Sequence, residues 1–216
     1  MMNKAQTMDA LKIMMKRFPE AKTSLVANSK FHFLLAVILS AQATDRSVNL
    51  ATPALFRLFP RPSDLARAKQ AEVQDLIKNI GLYKNKAKYL IACSKKLVTD
   101  FDSQIPDTLK GLQSLPGVGR KTADVVLAEC FGIPTIAVDT HVARVTKRLQ
   151  MVPQKATPIE IERLLMRKLP QGIWIKAHHT IIFWGRYQCL ARSPKCQTCP
   201  LINVCAKGQQ LMKSKK

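Results

Sequence analysis

The sequence predicts an all-α protein, and three observations predict it. Apolar residues recur at helical spacing along most of the chain, as at Leu11, Met14, Met15 and Phe18. Helix-start signals precede several of these runs. No convincing alternation of apolar and polar residues marks a strand, and there is no internal repeat or low-complexity block. With 216 residues, the chain can build one large domain or two small ones.

The elements follow in order. After the amphipathic N-terminal segment, residues 31–42 read as a buried helix. Thr44 can cap the next helix, which Pro53 should kink or divide. Residues 83–100 form a long amphipathic helix. Residues 108–114 and 120–130 form two shorter ones around a glycine-rich turn. Thr157-Pro158-Ile159-Glu160 is a capping box with proline at the first helical position, so a helix should run to about Leu169. A further helix is predicted over 173–187, and 213–216 is a short basic tail, read as disordered.

Charge narrows the function. Thirty-five Lys and Arg stand against fourteen Asp and Glu, a formal net charge of +21. Such self-repulsion is costly unless a polyanion is the usual partner, which points to nucleic acid. The longest apolar run, 31–39, contains His32 and is too short to span a bilayer. The N-terminal residues show no cleavage-site pattern, so the chain is expected in a reducing cytoplasm, with no membrane partner. Four of its six cysteines crowd near the C-terminus, and clustering in that compartment points to metal rather than disulfides. Cys93 and Cys130 stand alone in apolar stretches.

Leu115-Pro116-Gly117-Val118-Gly119-Arg120-Lys121-Thr122-Ala123 is the most informative stretch. Gly117 and Gly119 around Val118 allow a tight turn with positive φ and close backbone approach. The turn's N–H groups and the start of the following helix can then bind a DNA phosphate without side-chain charge. This is the helix-hairpin-helix pattern; an ordinary turn between helices is the blander reading. Arg120 and Lys121 follow at once. At a helix start, the macrodipole and partial desolvation both disfavour the ammonium form of Lys121, as a nucleophilic amine requires. A phosphate clamp is the commoner role for such a lysine. Asp139 ends an apolar approach, Pro134-Thr135-Ile136-Ala137-Val138, and precedes a helix with Val142, Val145 and Leu149 on one face. It can cap that helix and still offer an oxygen to chemistry. His141 reads as a structural or capping neighbour.

Cys189, Cys196, Cys199 and Cys205 are spaced C-x6-C-x2-C-x5-C, with Pro194 and Pro200 between them. Four thiolates suit zinc or a [4Fe–4S] cluster, and the spacing alone leaves both open.

From Phe31 to Cys205 the sequence resembles endonuclease III. The likeness rests on Ser40-Ala41-Gln42-Ala43-Thr44-Asp45, Ile80-Gly81-Leu82-Tyr83, the stretch from Leu115 to Ala123, Val138-Asp139-Thr140-His141 and the terminal cysteines. The resemblance implies two helical domains flanking a DNA-binding cleft. One is a six-helix barrel over 22–133 that contains the hairpin. The other joins 1–21 to 134–216 and holds a [4Fe–4S] cluster on the four cysteines. It implies Lys121 as catalytic nucleophile and Asp139 as catalytic carboxylate. It also implies Gln42 and Leu82 as the residues that fill the gap left by an extruded base; by themselves they read as a polar helix end and loop packing. Arg192 and Lys195 would meet DNA phosphates from the cluster loop, with Arg186 and Lys207 just outside. The implied activity is that of a bifunctional DNA N-glycosylase and AP lyase of base excision repair. It would remove oxidised pyrimidines from duplex DNA and cleave 3′ to the abasic site, as a monomer, at the nucleoid if bacterial. Two departures stand out: Asp124 puts a carboxylate near the phosphate grip, and Pro53 interrupts a barrel helix. Three rivals remain. The family's adenine-excising branch lacks the lysine. A non-catalytic helix-hairpin-helix protein would not need Lys121 and Asp139 together. An iron–sulfur electron carrier would not need this charge.

Overall fold

The computed structural model describes residues 1–213, so most of the predicted basic tail lies outside the described residues. Among these, all regular structure is helical, in the order α1 (Lys4–Arg17), α2 (Lys30–Leu39), α3 (Asp45–Leu58), α4 (Pro62–Ala66), α5 (Gln70–Ile77), α6 (Tyr83–Asp100), α7 (Leu109–Gln113), α8 (Arg120–Phe131), α9 (Thr140–Arg148), α10 (Pro158–Lys168), α11 (Trp174–Tyr187) and α12 (Ala206–Lys213). No described helix is long and apolar enough to cross a membrane. The chain divides into two compact units, Ser24–Ile133 and a second joining Met1–Thr23 to the segment from Pro134 onward.

In the first unit α2 is the core element. Every residue from Phe31 to Leu39 is buried, and α2 packs on α3, α6 and α8. A helix apolar all round must be central. Ser29 caps its start by accepting from the His32 amide. Helix α2 stops at Leu39, three residues short of the predicted end. The Ser40 hydroxyl folds back on the Val37 carbonyl, and Gln42 takes a positive φ of 53°, which no α-helix accommodates. Thr44 caps α3 as predicted, accepting from the Ser47 amide. Pro53 does not divide α3: it sits on the exposed face, where the carbonyl it leaves without a donor can meet solvent. Helices α4 and α5 have no counterpart in the periodicity reading.

The second unit is discontinuous in sequence. Leu11 and Met14 of α1 join Val142, Val145, Ile161, Leu165, Ile181 and Trp184 in one core. Polar ties secure the N-terminus as well: the Met2 amide donates to the Gln150 carbonyl, and Lys168 Nζ donates to the carbonyls of Met2 and Met151. The predicted capping box at Thr157 and Glu160 is formed, and α10 ends at Lys168.

Candidate functional site

The hairpin lies between α7 and α8. Leu115 and Val118 point inward, at 2% and 6% exposure, and anchor the turn. Gly117 has φ 81°, and a Cβ there would stand 2.9 Å from Tyr89 Cβ on α6, so both backbone conformation and space demand glycine. Gly119 is the N-cap of α8 and brings no side-chain cap, nor does an acidic residue occupy the first turn. A twelve-residue helix that begins without a side-chain cap or an acid is a start that suits an anion. Arg120 is partly exposed and pairs with Asp124 at 3.8 Å. The predicted conflict between Asp124 and the phosphate grip does not arise: Asp124 is 2% exposed, buried against the unit's interior. Lys121 sits in the first turn of α8, partly buried.

Two further loops reach the same end of this unit. Gln42 and Leu82 are both non-glycine residues in left-handed backbone, with φ of 53° and 61°. Such conformations are uncommon and persist where the surroundings enforce them. The loops touch: a Cβ on Gly81 would lie 3.6 Å from the Gln42 carbonyl oxygen. Leu82 is 57% exposed, so it is not packing the loop. The hairpin completes the group, since Gly117 is also against Ile38 near the end of α2. One end of the unit thus gathers a glutamine and an exposed leucine, both in left-handed backbone, and the glycine turn that leads into α8.

In the second unit Asp139 is the N-cap of α9. Its Oδ1 accepts from the Val142 amide at 2.8 Å, leaving Oδ2 outside the cap. His141, two residues further, is pushed below its ordinary pKa by burial, with Asp139 opposing the shift. Its Nδ1 lies 3.1 Å from Arg144 Nη2. A guanidinium only donates, so Nδ1 accepts. Gly185 lets α11 come this close: a Cβ there would be 2.8 Å from His141 Cβ.

Helix α9 also holds the cysteine loop. Arg144 donates to the carbonyls of Gly185 and Cys189, and Arg148 to those of Leu190 and Ala191. Sequence reasoning missed both arginines. Their i, i+4 spacing on a nine-residue helix marks a shared face but not the distant carbonyls they reach.

Cys189 follows α11, Cys196 and Cys199 bracket a 3₁₀ turn, and Cys205 precedes α12. Together they line one cavity, floored by Trp184 and Leu149. Burial raises the pKa of the Cys199 and Cys205 thiols, and the neighbouring cysteines push the same way, so the sulfurs are close enough to repel as thiolates. Among the described residues no group of three or more His, Cys, Asp and Glu is gathered as a metal ion would need. Four cysteines around one cavity offer the ligand set that zinc or a [4Fe–4S] cluster takes. Compensating donors are present: the Gly208 amide reaches Cys205 Sγ at 3.3 Å, and Arg148 Nη1 reaches Cys189 Sγ at 3.4 Å. Arg192 and Lys195 stand exposed on this loop, and Arg186 is half-buried at the end of α11.

Known proteins supply the remaining comparison. A family model described as HhH-GPD superfamily base excision DNA repair protein matches residues 35–171, and one described as the iron-sulfur binding domain of endonuclease III matches 189–205. Endonuclease III of Bacillus subtilis (strain 168) is 48% identical over 193 residues, covering 89% of this chain and 88% of that protein. Endonuclease III of Escherichia coli (strain K12) is 41% identical, covering 94% and 96%. Among solved structures, a trapped endonuclease III–DNA covalent intermediate superposes with a TM-score of 0.96 at 42% identity, over 98% of this chain and 100% of that one. A thermostable thymine-DNA glycosylase, at 20% identity and a TM-score of 0.83, shares the fold.

Proposed function

The chain belongs to the endonuclease III family of helix-hairpin-helix base excision repair proteins, DNA glycosylase/AP lyases that carry a [4Fe–4S] cluster, and from that premise we propose how its own residues work. The hairpin amides grip a phosphate of duplex DNA, and Gln42 and Leu82 enter the stack where an oxidised pyrimidine has left it. The Lys121 amine attacks C1′. A C1′–N bond forms, the glycosidic bond breaks, and the departing base takes up a proton. Asp139, as a carboxylate, accepts a proton from Lys121 or stabilises the positive charge developing on the sugar. The C1′–O4′ bond then opens, O4′ taking up a proton, and the lysine nitrogen and C1′ become an imine that acidifies C2′; loss of a C2′ proton expels the 3′ phosphate by β-elimination, and water releases the lysine. The protein acts as a monomer, and duplex carrying damaged pyrimidines or abasic sites is its substrate at the nucleoid.

Cys189, Cys196, Cys199 and Cys205 hold the cluster, which supplies a rigid platform for Arg192 and Lys195 against phosphates, with Arg186 beside it. The observation that carries the mechanism is the place of Lys121, in the first turn of a helix with no side-chain cap, immediately after the glycine turn. Borohydride tests it. Wild-type protein should be trapped covalently on abasic duplex, and Lys121→Ala should not; full trapping by the variant would overturn the assignment.

A further inference from the structure

Lys86 is unlike the other lysines of this basic chain. It is 4% exposed, so it reaches no phosphate, and its Nζ donates to the Leu39 carbonyl at 2.9 Å. Leu39 is the last residue of α2, where the final carbonyls lie beyond the helix's own donors. An ammonium is the charge a helix C-terminus favours. Burial pushes the Lys86 pKa down, so the ion is held at a cost that an apolar side chain of similar length would avoid.

Its position gives that ion a use. Leu39 stands three residues before Gln42, and Lys86 stands one turn after Leu82, whose carbonyl accepts from the Lys86 amide. The segments that carry the two strained residues are therefore tied by a buried hydrogen bond between the end of α2 and the first turn of α6. Tyr89, one turn further along α6, lies beneath Gly117 of the hairpin.

We propose that Lys86 is a positioning residue for lesion capture: by gripping the end of α2 it sets the spacing between Gln42 and Leu82 that an extruded nucleotide requires. The proposal rests on the gap-filling role given above to those two residues. Lys86→Met keeps the length and apolar stem and removes the donor. On an abasic-analogue duplex its affinity should fall about tenfold, the effect of one lost charged hydrogen bond, while affinity for the undamaged counterpart stays unchanged. Added to Gln42→Ala, it should cost nothing further, because the contact it supports is already gone. Equal losses on both duplexes, no loss on either, or full additivity with Gln42→Ala would overturn the proposal. If Lys86→Met does not fold, Lys86→Gln, whose shorter side chain falls short of Leu39, is read by the same criteria. Should Gln42→Ala itself bind the abasic analogue as wild type does, the gap-filling role fails first. Loss in Gln42→Ala with none in Lys86→Met or Lys86→Gln sinks the Lys86 role alone.

Discussion

Asp139 is a helix cap and the proposed catalytic carboxylate, and substitution can separate the two roles. As a cap it needs only an oxygen for the Val142 amide, and asparagine caps as well as aspartate. As a catalytic group it needs charge. Asp139→Asn should therefore melt within about 0.5 kcal/mol of wild type while base excision falls by roughly a hundredfold or more. Cleavage of a preformed abasic site should fall less, because its base is already gone. Asp139→Ala should lose the cap too, at about 1 kcal/mol of stability. Equal slowing of excision and abasic cleavage in Asp139→Asn would count against the role. At this scale the sequence was informative where chemistry and local structure coincide. A glycine pair before a helix announces a turn with positive φ, and an acid ahead of an apolar stripe announces a helix cap; both are formed. It was silent on Lys86, Arg144 and Arg148. Their significance is a carbonyl 47 positions away for Lys86, and more than 40 away for the arginines, and nothing in local spacing encodes such a partner.

Elements were legible in proportion to how far local signals fixed their ends. Helix α6 has the predicted bounds, and α10 ends within a residue of its predicted stop. Helix α2 ends early because the cause, a left-handed Gln42 braced by the Gly81 loop, is tertiary. Helices α4 and α5 are short, and capping by Asp64 and Glu72 rather than apolar periodicity defines them. The hairpin offers the test of an element acting as a unit. Gly117→Ala forces a Cβ into Tyr89 at a positive φ, which should cost about 1–3 kcal/mol. It should weaken binding to damaged and undamaged duplex alike, since a phosphate grip carries no lesion information. A loss confined to damaged duplex would assign the turn to lesion reading instead. In the cysteine loop, purified protein should carry about four irons, as a cluster on four thiolates requires. Burial pushes the thiol of Cys93, which is fully buried, up to about 12 and that of Cys130, which is half-buried, up to about 11, so both are poor thiolate donors. Cys93→Ala and Cys130→Ala should keep full iron, whereas Cys199→Ser should not. One tightly bound zinc and no iron would refute the cofactor.

Over the whole molecule, +21 is the quantity that matters. Affinity for undamaged duplex should fall steeply with salt because released counterions drive binding. Arg192→Ala and Lys195→Ala should each reduce the slope of log affinity against log salt by roughly one. A flat response would mean that the charge serves another partner. Composition alone pointed to a polyanion, because charge is additive and needs no fold. Which unit holds which function was not readable that way, since the second unit joins segments from opposite ends of the chain.

That discontinuity has a consequence for how the protein is made. Leu11 and Met14 bury against residues that follow Pro134, with all of Ser24–Ile133 synthesised in between. For on the order of ten seconds of translation, α1 leaves the ribosome with an apolar stripe and nothing native to cover it. The contiguous unit can fold during that interval, while the cysteine loop, made after it, can acquire iron only later. A nascent chain arrested before Pro134 would expose α1 to holding chaperones and proteases, and starvation for iron would leave the cysteine loop still to be ordered.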